Sequence, residues 1–128
     1  MKTPEELKYT ENDEWIKVKG EIGTIGITDF AQDQLSDIVF VEFLVDQDES
    51  VDQGDTIATV ESVKAAADIY APVSGTIKAL NEDLADSPEL INADPYGEAW
   101  LIQLTLADPL ELEDLMDADT YANLERDH

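Results

Sequence analysis

One lysine stands midway between two glycines, and the segments on both sides of it read as β-strands. Asp55–Ser62 precedes Lys64 and Ala66–Ala71 follows it, with Gly54 ten residues before the lysine and Gly75 eleven after. Two strands of similar length, each ended by a turn signal, predict an antiparallel hairpin with Lys64 at its tip. Ser62, Ala65, Ala66 and Ala67 crowd the tip with small side chains, so the amine is left in water and open to an enzyme. No other Lys or Arg occurs between Lys19 and Lys78. An exposed lysine on a turn ordinarily only keeps a protein soluble. The glycine bracket, the lack of competing lysines and the poverty in other reactive groups favour a lysine that is chemically addressed and then carries something.

The rest of the chain repeats the short-strand pattern. Trp15–Lys19 alternates, with Ile16 and Val18 on one face, and Gly23–Ile27 reads as its hairpin mate after Gly20. Thr28 is placed to cap a short helix over Asp29–Leu35, with Phe30 and Leu35 as inward anchors. Ile38–Leu44, Thr76–Leu80 and Trp100–Leu106 are further strands, and residues 5–12 read as irregular. Asn81–Pro95 is turn-rich, with at most one helical turn at Pro88–Ile91. Asp108 is expected to cap Pro109–Met116, giving a packing face of Leu112, Leu115 and Met116. Asp119 is expected to cap Thr120–Glu125. The sum is a compact, mainly β structure with short helices. At 128 residues a single domain over 1–128 is expected, with a core over about 22–106 and a helical C-terminal segment over about 108–126.

Composition removes most chemistries. Thirty-one acids against seven bases give a net charge of −24, which repels phosphate backbones and anionic lipid, so neither nucleic acid nor membrane is an expected partner. The acids are spread along the chain, which favours plain solvation over a dedicated docking patch. There is no cysteine, and the single histidine, His128, is the last residue, where disorder is the default expectation. Thiol or histidine catalysis and a Cys/His zinc site are thereby excluded. An EF-hand starting at Asp46 fails, because Val51 and Ile57 stand where Gly and Glu are required. No phosphate-loop spacing occurs. Neither a catalytic residue nor a metal ligand is assigned, and the inventory suits a carrier better than an enzyme. Met1–Glu6 lacks the marks of a signal or transit peptide, so a cytoplasmic protein of bacterial type is expected.

Glu61-Ser62-Val63-Lys64-Ala65, followed by Asp68-Ile69-Tyr70-Ala71-Pro72-Val73-Ser74-Gly75, resembles the lipoyl-lysine segment of the glycine cleavage system H protein family. The likeness continues through Leu7-Lys8-Tyr9, Glu14-Trp15, Gly26-Ile27-Thr28-Asp29, Ala31-Gln32, Asp86-Ser87-Pro88-Glu89-Leu90 and Asp94-Pro95-Tyr96, nearly the whole chain. Biotinyl carriers share the hairpin but flank the lysine with methionines, where this chain has Val63 and Ala65.

The resemblance implies a barrel-sandwich hybrid of the lipoyl/biotinyl carrier type, and a monomer. It implies lipoate on Lys64 as the sole attachment site, with Glu61, Ser62, Val63 and Ala65 read by the attachment enzyme. It implies a shuttle that takes the aminomethyl group of glycine from the pyridoxal-phosphate glycine decarboxylase to the tetrahydrofolate-dependent aminomethyltransferase, and is then reoxidised by dihydrolipoyl dehydrogenase. Lipoate-attachment enzymes complete the expected partners. The alternative is a lipoyl donor that relays the group to other carriers. Asn12, Glu14 and Asp68 match the cleft in which the loaded arm shelters, and the two acids are expected to guard the arm rather than the fold. Three positions depart from the family pattern. Asp13 and Gln34 stand where histidines are common, and Ser36 replaces a usual glycine.

Overall fold

The computed structural model describes residues 3–124. Strands β1 (Lys8–Tyr9), β2 (Glu14–Lys19) and β3 (Ile22–Ile27) lead into helix α1 (Asp29–Leu35). Strands β4 (Ile38–Phe43), β5 (Ser50–Val51), β6 (Thr56–Ser62), β7 (Ala66–Tyr70) and β8 (Gly75–Leu80) follow. Helices α2 (Asp83–Asp86) and α3 (Leu90–Ala93) precede β9 (Ile102–Leu106), a 3-10 helix at Pro109–Asp114 and α4 (Ala118–Ala122). Two antiparallel sheets result. One has the order β1-β2-β3-β9-β8-β5 and the other the order β4-β6-β7. Their facing side chains, among them Ile16, Ile25, Ile57, Val60, Ile77, Ile102 and Leu104, form one buried core. This is the barrel-sandwich hybrid.

The period-2 pattern carries most of it. Ile16 is buried and Val18 packs half-buried on the same core, while Lys17 between them and Lys19 after them are exposed. Thr28 caps α1 as expected, its hydroxyl accepting from the Ala31 N–H at 3.2 Å. Leu35 is buried, whereas Phe30 is only half-buried. The two glycines that bracket the lysine have different duties. Gly54 turns the chain at φ +92° and its N–H donates to the Ala71 carbonyl at 2.8 Å, closing the open end of the hairpin. Gly75 lies so close to the Thr105 carbonyl on β9 that a side chain there would collide with backbone.

Several expectations need correction. Residues 5–12 are not wholly irregular: β1 pairs with β2, and Tyr9 also bridges Met116. Helix α2 was not expected, and the turn at Pro88–Ile91 becomes α3 at Leu90–Ala93. Asp108 does cap, through the Leu110 N–H, but the segment is a 3-10 helix ending at Asp114. The last helix begins two residues early, because Asp117 rather than Asp119 accepts from the Thr120 N–H. It also ends early, at Ala122 with Asn123 as its cap, rather than at Glu125, and His128 lies outside the described residues. The apolar face also divides. Leu112 and Leu115 pack on the main core, whereas Met116 joins a second cluster built on Leu7, Tyr9, Trp15, Ala118 and Tyr121.

That second cluster packs β1 and α4 against β2. Tyr121 stacks on Tyr9 with ring centroids 4.5 Å apart, and its hydroxyl meets Thr28 Oγ1 at 2.6 Å and donates to Asp13 Oδ1 at 2.8 Å. Trp15 Nε1 is shared between the Ile27 and Pro95 carbonyls, each at 3.0 Å. Glu111 accepts from both the N–H and the hydroxyl of Ser74, holding the 3-10 helix to the turn before β8. Among the described residues no buried side-chain nitrogen or oxygen lacks a hydrogen-bond partner, as a stable interior requires. None of the described helices is long and apolar enough to cross a membrane.

Candidate functional site

The β6–β7 hairpin ends in a four-residue turn, Ser62–Ala65, with Lys64 in it. The Ser62 hydroxyl organises the turn. It accepts from the Lys64 N–H at 3.3 Å and the Ala65 N–H at 3.0 Å, and donates to the Ala65 carbonyl at 3.1 Å. The Ser62 N–H closes the turn onto the same carbonyl at 2.7 Å. One contact comes from outside: the Val63 N–H donates to the Asp37 carbonyl at 3.1 Å, tying the tip to the segment before β4. Lys64, Val63, Ala65 and Glu61 are exposed. The turn is therefore fixed by backbone and one hydroxyl, while the lysine is exposed.

At the other end of β7 the arrangement reverses. Glu14 is 1% exposed. Its Oε2 accepts from the Tyr70 N–H at 2.7 Å and its Oε1 from the Thr10 hydroxyl at 2.8 Å. The carboxylate joins β2 to β7 through the free backbone edge of the three-stranded sheet. Burial pushes its pKa up from 4.5 to about 7. The Tyr70 and Thr10 hydrogen bonds oppose that rise, and the nearby Asp13 adds to it. Glu14 thus has a part in the fold that the sequence reading withheld from it.

Two hollows flank β7. One, of about 170 Å³, runs along β7 beside α1 and is lined by Asn12, Asp13, Ile27, Ala31, Gln34, Leu35, Ala67, Asp68 and Ile69. Its floor is apolar, and its rim carries the Asn12 amide and the Asp68 carboxylate. The other, of about 260 Å³, lies where Glu14 and Tyr70 meet, walled by Tyr9, Thr10, Pro72 and Met116 among others. Asn12 borders both hollows. Glu14 and Asp68 do not share one: the first lines the larger hollow, the second the groove along β7. Asp68 is exposed, and the contact its Oδ1 receives from the Thr59 hydroxyl is long, at 3.4 Å.

Sequence reasoning missed Thr10 and Tyr70, which hold Glu14, and Asp37, which steadies the tip. It also missed the groove floor of Ile27, Ala31 and Leu35. Gln34, which departs from the family pattern, lies in the groove wall and is the one signal in the sequence that points there. Asp13 occupies the left-handed region at φ +66°, which Asp tolerates, and accepts from Tyr121.

A barrel-sandwich hybrid that offers a lone exposed lysine on a hairpin tip has the build of a lipoyl- or biotinyl-type carrier domain. Comparison with known proteins narrows the class. The family model described as Glycine cleavage H-protein matches residues 7–128. A glycine cleavage system H protein of Staphylococcus saprophyticus is 49% identical over 124 residues, covering 97% of this chain and 98% of its own. One from Staphylococcus carnosus is 47% identical over the same shares. The crystal structure of a glycine cleavage system H protein from Mycobacterium marinum superposes with a TM-score of 0.81 at 34% identity, over 93% of this chain and 95% of that one. The chain belongs to the glycine cleavage H-protein family.

Proposed function

We propose that this chain carries lipoate as an amide on Lys64 and shuttles the aminomethyl group of glycine. The route runs from the pyridoxal-phosphate decarboxylase to the tetrahydrofolate-dependent aminomethyltransferase, with dihydrolipoyl dehydrogenase restoring the arm. The observation that carries the reading is the pairing of an exposed lysine tip with an apolar groove that starts three residues along the same strand. Strand rise places Ala67–Ile69 about 10–17 Å from Lys64. A lysine stem extended by an eight-carbon acid spans roughly a dozen single bonds of about 1.5 Å, on the order of 15 Å. The groove therefore fits the arm in length, and its Ile27, Ala31 and Leu35 floor suits an apolar ring.

When bound, the group supplies a disulfide that accepts electrons and a carbon unit; the chain supplies placement. At attachment the Lys64 amine attacks an activated carboxyl carbon. The ammonium gives up one proton before the attack, the activating group leaves with the bonding pair, and the nitrogen then loses a second proton, so the tip ends as a neutral amide. The Ser62 turn presents the stem away from the sheet. Asn12 and Asp68 stand at the groove rim, where an ammonium on the arm would meet a carboxylate. Tethering keeps the cargo at high effective concentration for the next active site. Glu61, Ser62, Val63 and Ala65 form the surface that an attachment enzyme meets first, and the compartment in which this chemistry is placed is the cytoplasm.

Intact mass of the full chain after incubation with lipoate, ATP and a lipoate–protein ligase tests the assignment. One lipoyl adduct is expected, absent from Lys64→Arg, whose melting should match the parent within about 0.5 kcal/mol because the tip is exposed. An adduct that persists in Lys64→Arg would sink the assignment.

A further inference from the structure

The outward face of the three-stranded sheet is the least explained surface of the molecule. Cross-strand partners share a face, and here Phe40 lies opposite Glu61, which lies opposite Ala66. The next row is Glu42, Thr59 and Asp68. The register shifts between Ile38 and Phe40, so Val39 has no opposite residue, and both Val39 and Phe40 are turned to solvent, at 52% and 47% exposure. Val63 on the tip is 69% exposed. It is roped to this corner through its N–H bond to the Asp37 carbonyl. Beside Lys64 the sheet therefore offers an apolar corner of Val39, Phe40 and Val63, edged by Glu42, Glu61 and Asp68. Strand β4 is also an edge of its sheet. Exposed apolar side chains grouped at one spot mark a contact surface more often than solitary ones do.

We infer that this corner docks the enzyme that acylates Lys64, through an apolar socket rimmed by lysine or arginine. The inference rests on the assignment of Lys64 as the attachment site. Reach selects the occupant. An unmodified lysine extends only about five single bonds, on the order of 6 Å, from its Cα. An active site that must touch its amine comes close enough to cover Val63, Val39 and Phe40. Enzymes that receive the finished arm work on the order of 15 Å away and can leave the corner uncovered. Charge selects the chemistry of the rim. The three carboxylates sit on a chain of net charge −24, so a basic rim is steered in. A second copy of this chain would set carboxylate against carboxylate.

The family resemblance points the attachment enzyme only to Glu61, Ser62, Val63 and Ala65. The new residues are Val39, Phe40 and Glu42, distant in the chain and brought to the tip by the β4–β6 pairing.

The test compares Phe40→Ser and Glu42→Gln with the parent, each as the full, unmodified chain. A lipoate–protein ligase with lipoate and ATP gives the enzymic rate. An N-hydroxysuccinimide acetate ester, read at the Lys64 peptide, gives the intrinsic access of the amine. Enzymic kcat/KM should fall about tenfold in Phe40→Ser and several-fold in Glu42→Gln, mostly through KM, the size of ordinary interface contacts. Ester acylation should be unchanged. Once lipoylated by prolonged incubation, both variants should be reduced by dihydrolipoyl dehydrogenase, with NADH as the electron donor, at the parent rate. Parent-like ligase kinetics in Phe40→Ser would overturn the proposal. So would an equal loss with the dehydrogenase, which would make the corner a general dock. A parent dimer in sedimentation that Phe40→Ser abolishes would overturn it too. A parent that gains no adduct at Lys64 defeats the attachment assignment itself, which is a separate and recognisable result.

Discussion

At Tyr70 the backbone of β7 is gripped by a carboxylate almost wholly out of water; at Ala65 the turn leading into the same strand is held by a serine hydroxyl in the open. The two ends of one short strand are thus fastened by different physics. A carboxyl contact in a dry site meets no competition from water, whereas a hydroxyl contact at an exposed turn competes with water at every moment. The consequence is a hairpin with a rigid base and a tip that can yield locally. A carrier needs that division, because its base must fix where the arm starts while its tip must enter several active sites. Glu14 and Asp68 repeat the contrast as a pair of acids. One is built into the base, the other lies in water on the groove rim.

The largest effect that can break this comparison is at Glu14. Its folded pKa of about 7 exceeds the ordinary 4.5, so the folded state binds its proton more tightly than the unfolded chain does. Below about 4.5 the group is neutral in both states and costs nothing. As pH rises through 7 the folded state must hold a desolvated charge, and stability falls. At about 1.36 kcal/mol per pKa unit, roughly 2–3 kcal/mol is lost between about pH 5 and about pH 8. Glutamine can still accept from the Tyr70 N–H, but the Thr10 hydroxyl already accepts from the Asn12 and Glu14 N–H groups and has no lone pair for the new amide. Glu14→Gln should therefore lose that contact at both pH values, yet gain about 2–3 kcal/mol relative to the parent on going from the lower pH to the higher one. Urea unfolding of both proteins at both pH values isolates the effect, since the remaining acids are common to the pair. Equal pH slopes would mean that Glu14 stays hydrated and that the base is no firmer than the tip.

A smaller effect sharpens the comparison at Asp68. The exposure of Asp68 and its long contact to Thr59 give it little part in the fold, so Asp68→Asn should shift stability by no more than about 0.5 kcal/mol. Its proposed work is to pair with the ammonium on the loaded arm. Removing a charge-assisted contact at the exposed end of its range, about 1.5 kcal/mol, should shorten cargo retention roughly tenfold. Intact mass followed over time, without partner enzymes, reads this directly. Glu14→Gln should change retention far less, because both Glu14 oxygens already have partners. Equal acceleration by the two variants would return Glu14 to the rim and erase the distinction between the acids.

The tip was legible in the sequence and the base was not. Lys64, its small neighbours and the glycine bracket lie within about twenty residues, where alternation and turn chemistry act locally. Thr28 at the start of α1 is equally local. Glu14 meets Tyr70 across 56 positions, and its burial depends on β2 lying along the edge of the other sheet. No local pattern reports that. The sheet order was hidden for the same reason, since β1 and β5 have two residues each and draw their identity from their partners. The bulge that exposes Val39 and Phe40 falls inside a run that read as an uninterrupted strand, because period-2 reasoning assumes an unbroken register. The groove needed α1 and β7 to meet, so only its acids, carried over from the resemblance, were visible beforehand.

The smallest effect lies in the support beneath the tip. Ser36 ends α1 at φ +65°, ψ −145°, a region that essentially only glycine occupies. The next residue is Asp37, whose carbonyl holds Val63. Surrounding bonds impose the conformation. The Ser36 N–H donates to the Gln32 carbonyl at 2.9 Å, and the Ser36 carbonyl accepts from the Asn92 amide at 2.7 Å. Asn92 Oδ1 then takes the Ile38 N–H at 2.9 Å, so one side chain clamps both sides of Asp37. Such a residue stores on the order of 1–3 kcal/mol of strain. Ser36→Gly releases it, less about 0.5–1 kcal/mol for the extra freedom glycine has when unfolded. A net gain of about 1 kcal/mol is expected, seen as a melting temperature a few degrees higher. Ser36→Ala keeps the Cβ and should show no gain, which separates backbone relief from loss of the hydroxyl. Because the clamp is unchanged, hydrogen exchange at the Val63 N–H should slow only by the gain in global stability. If Ser36→Gly instead speeds exchange at Val63 while raising the melting temperature, the serine is what stiffens the tip, and the contrast between a firm base and a yielding tip is weaker than drawn.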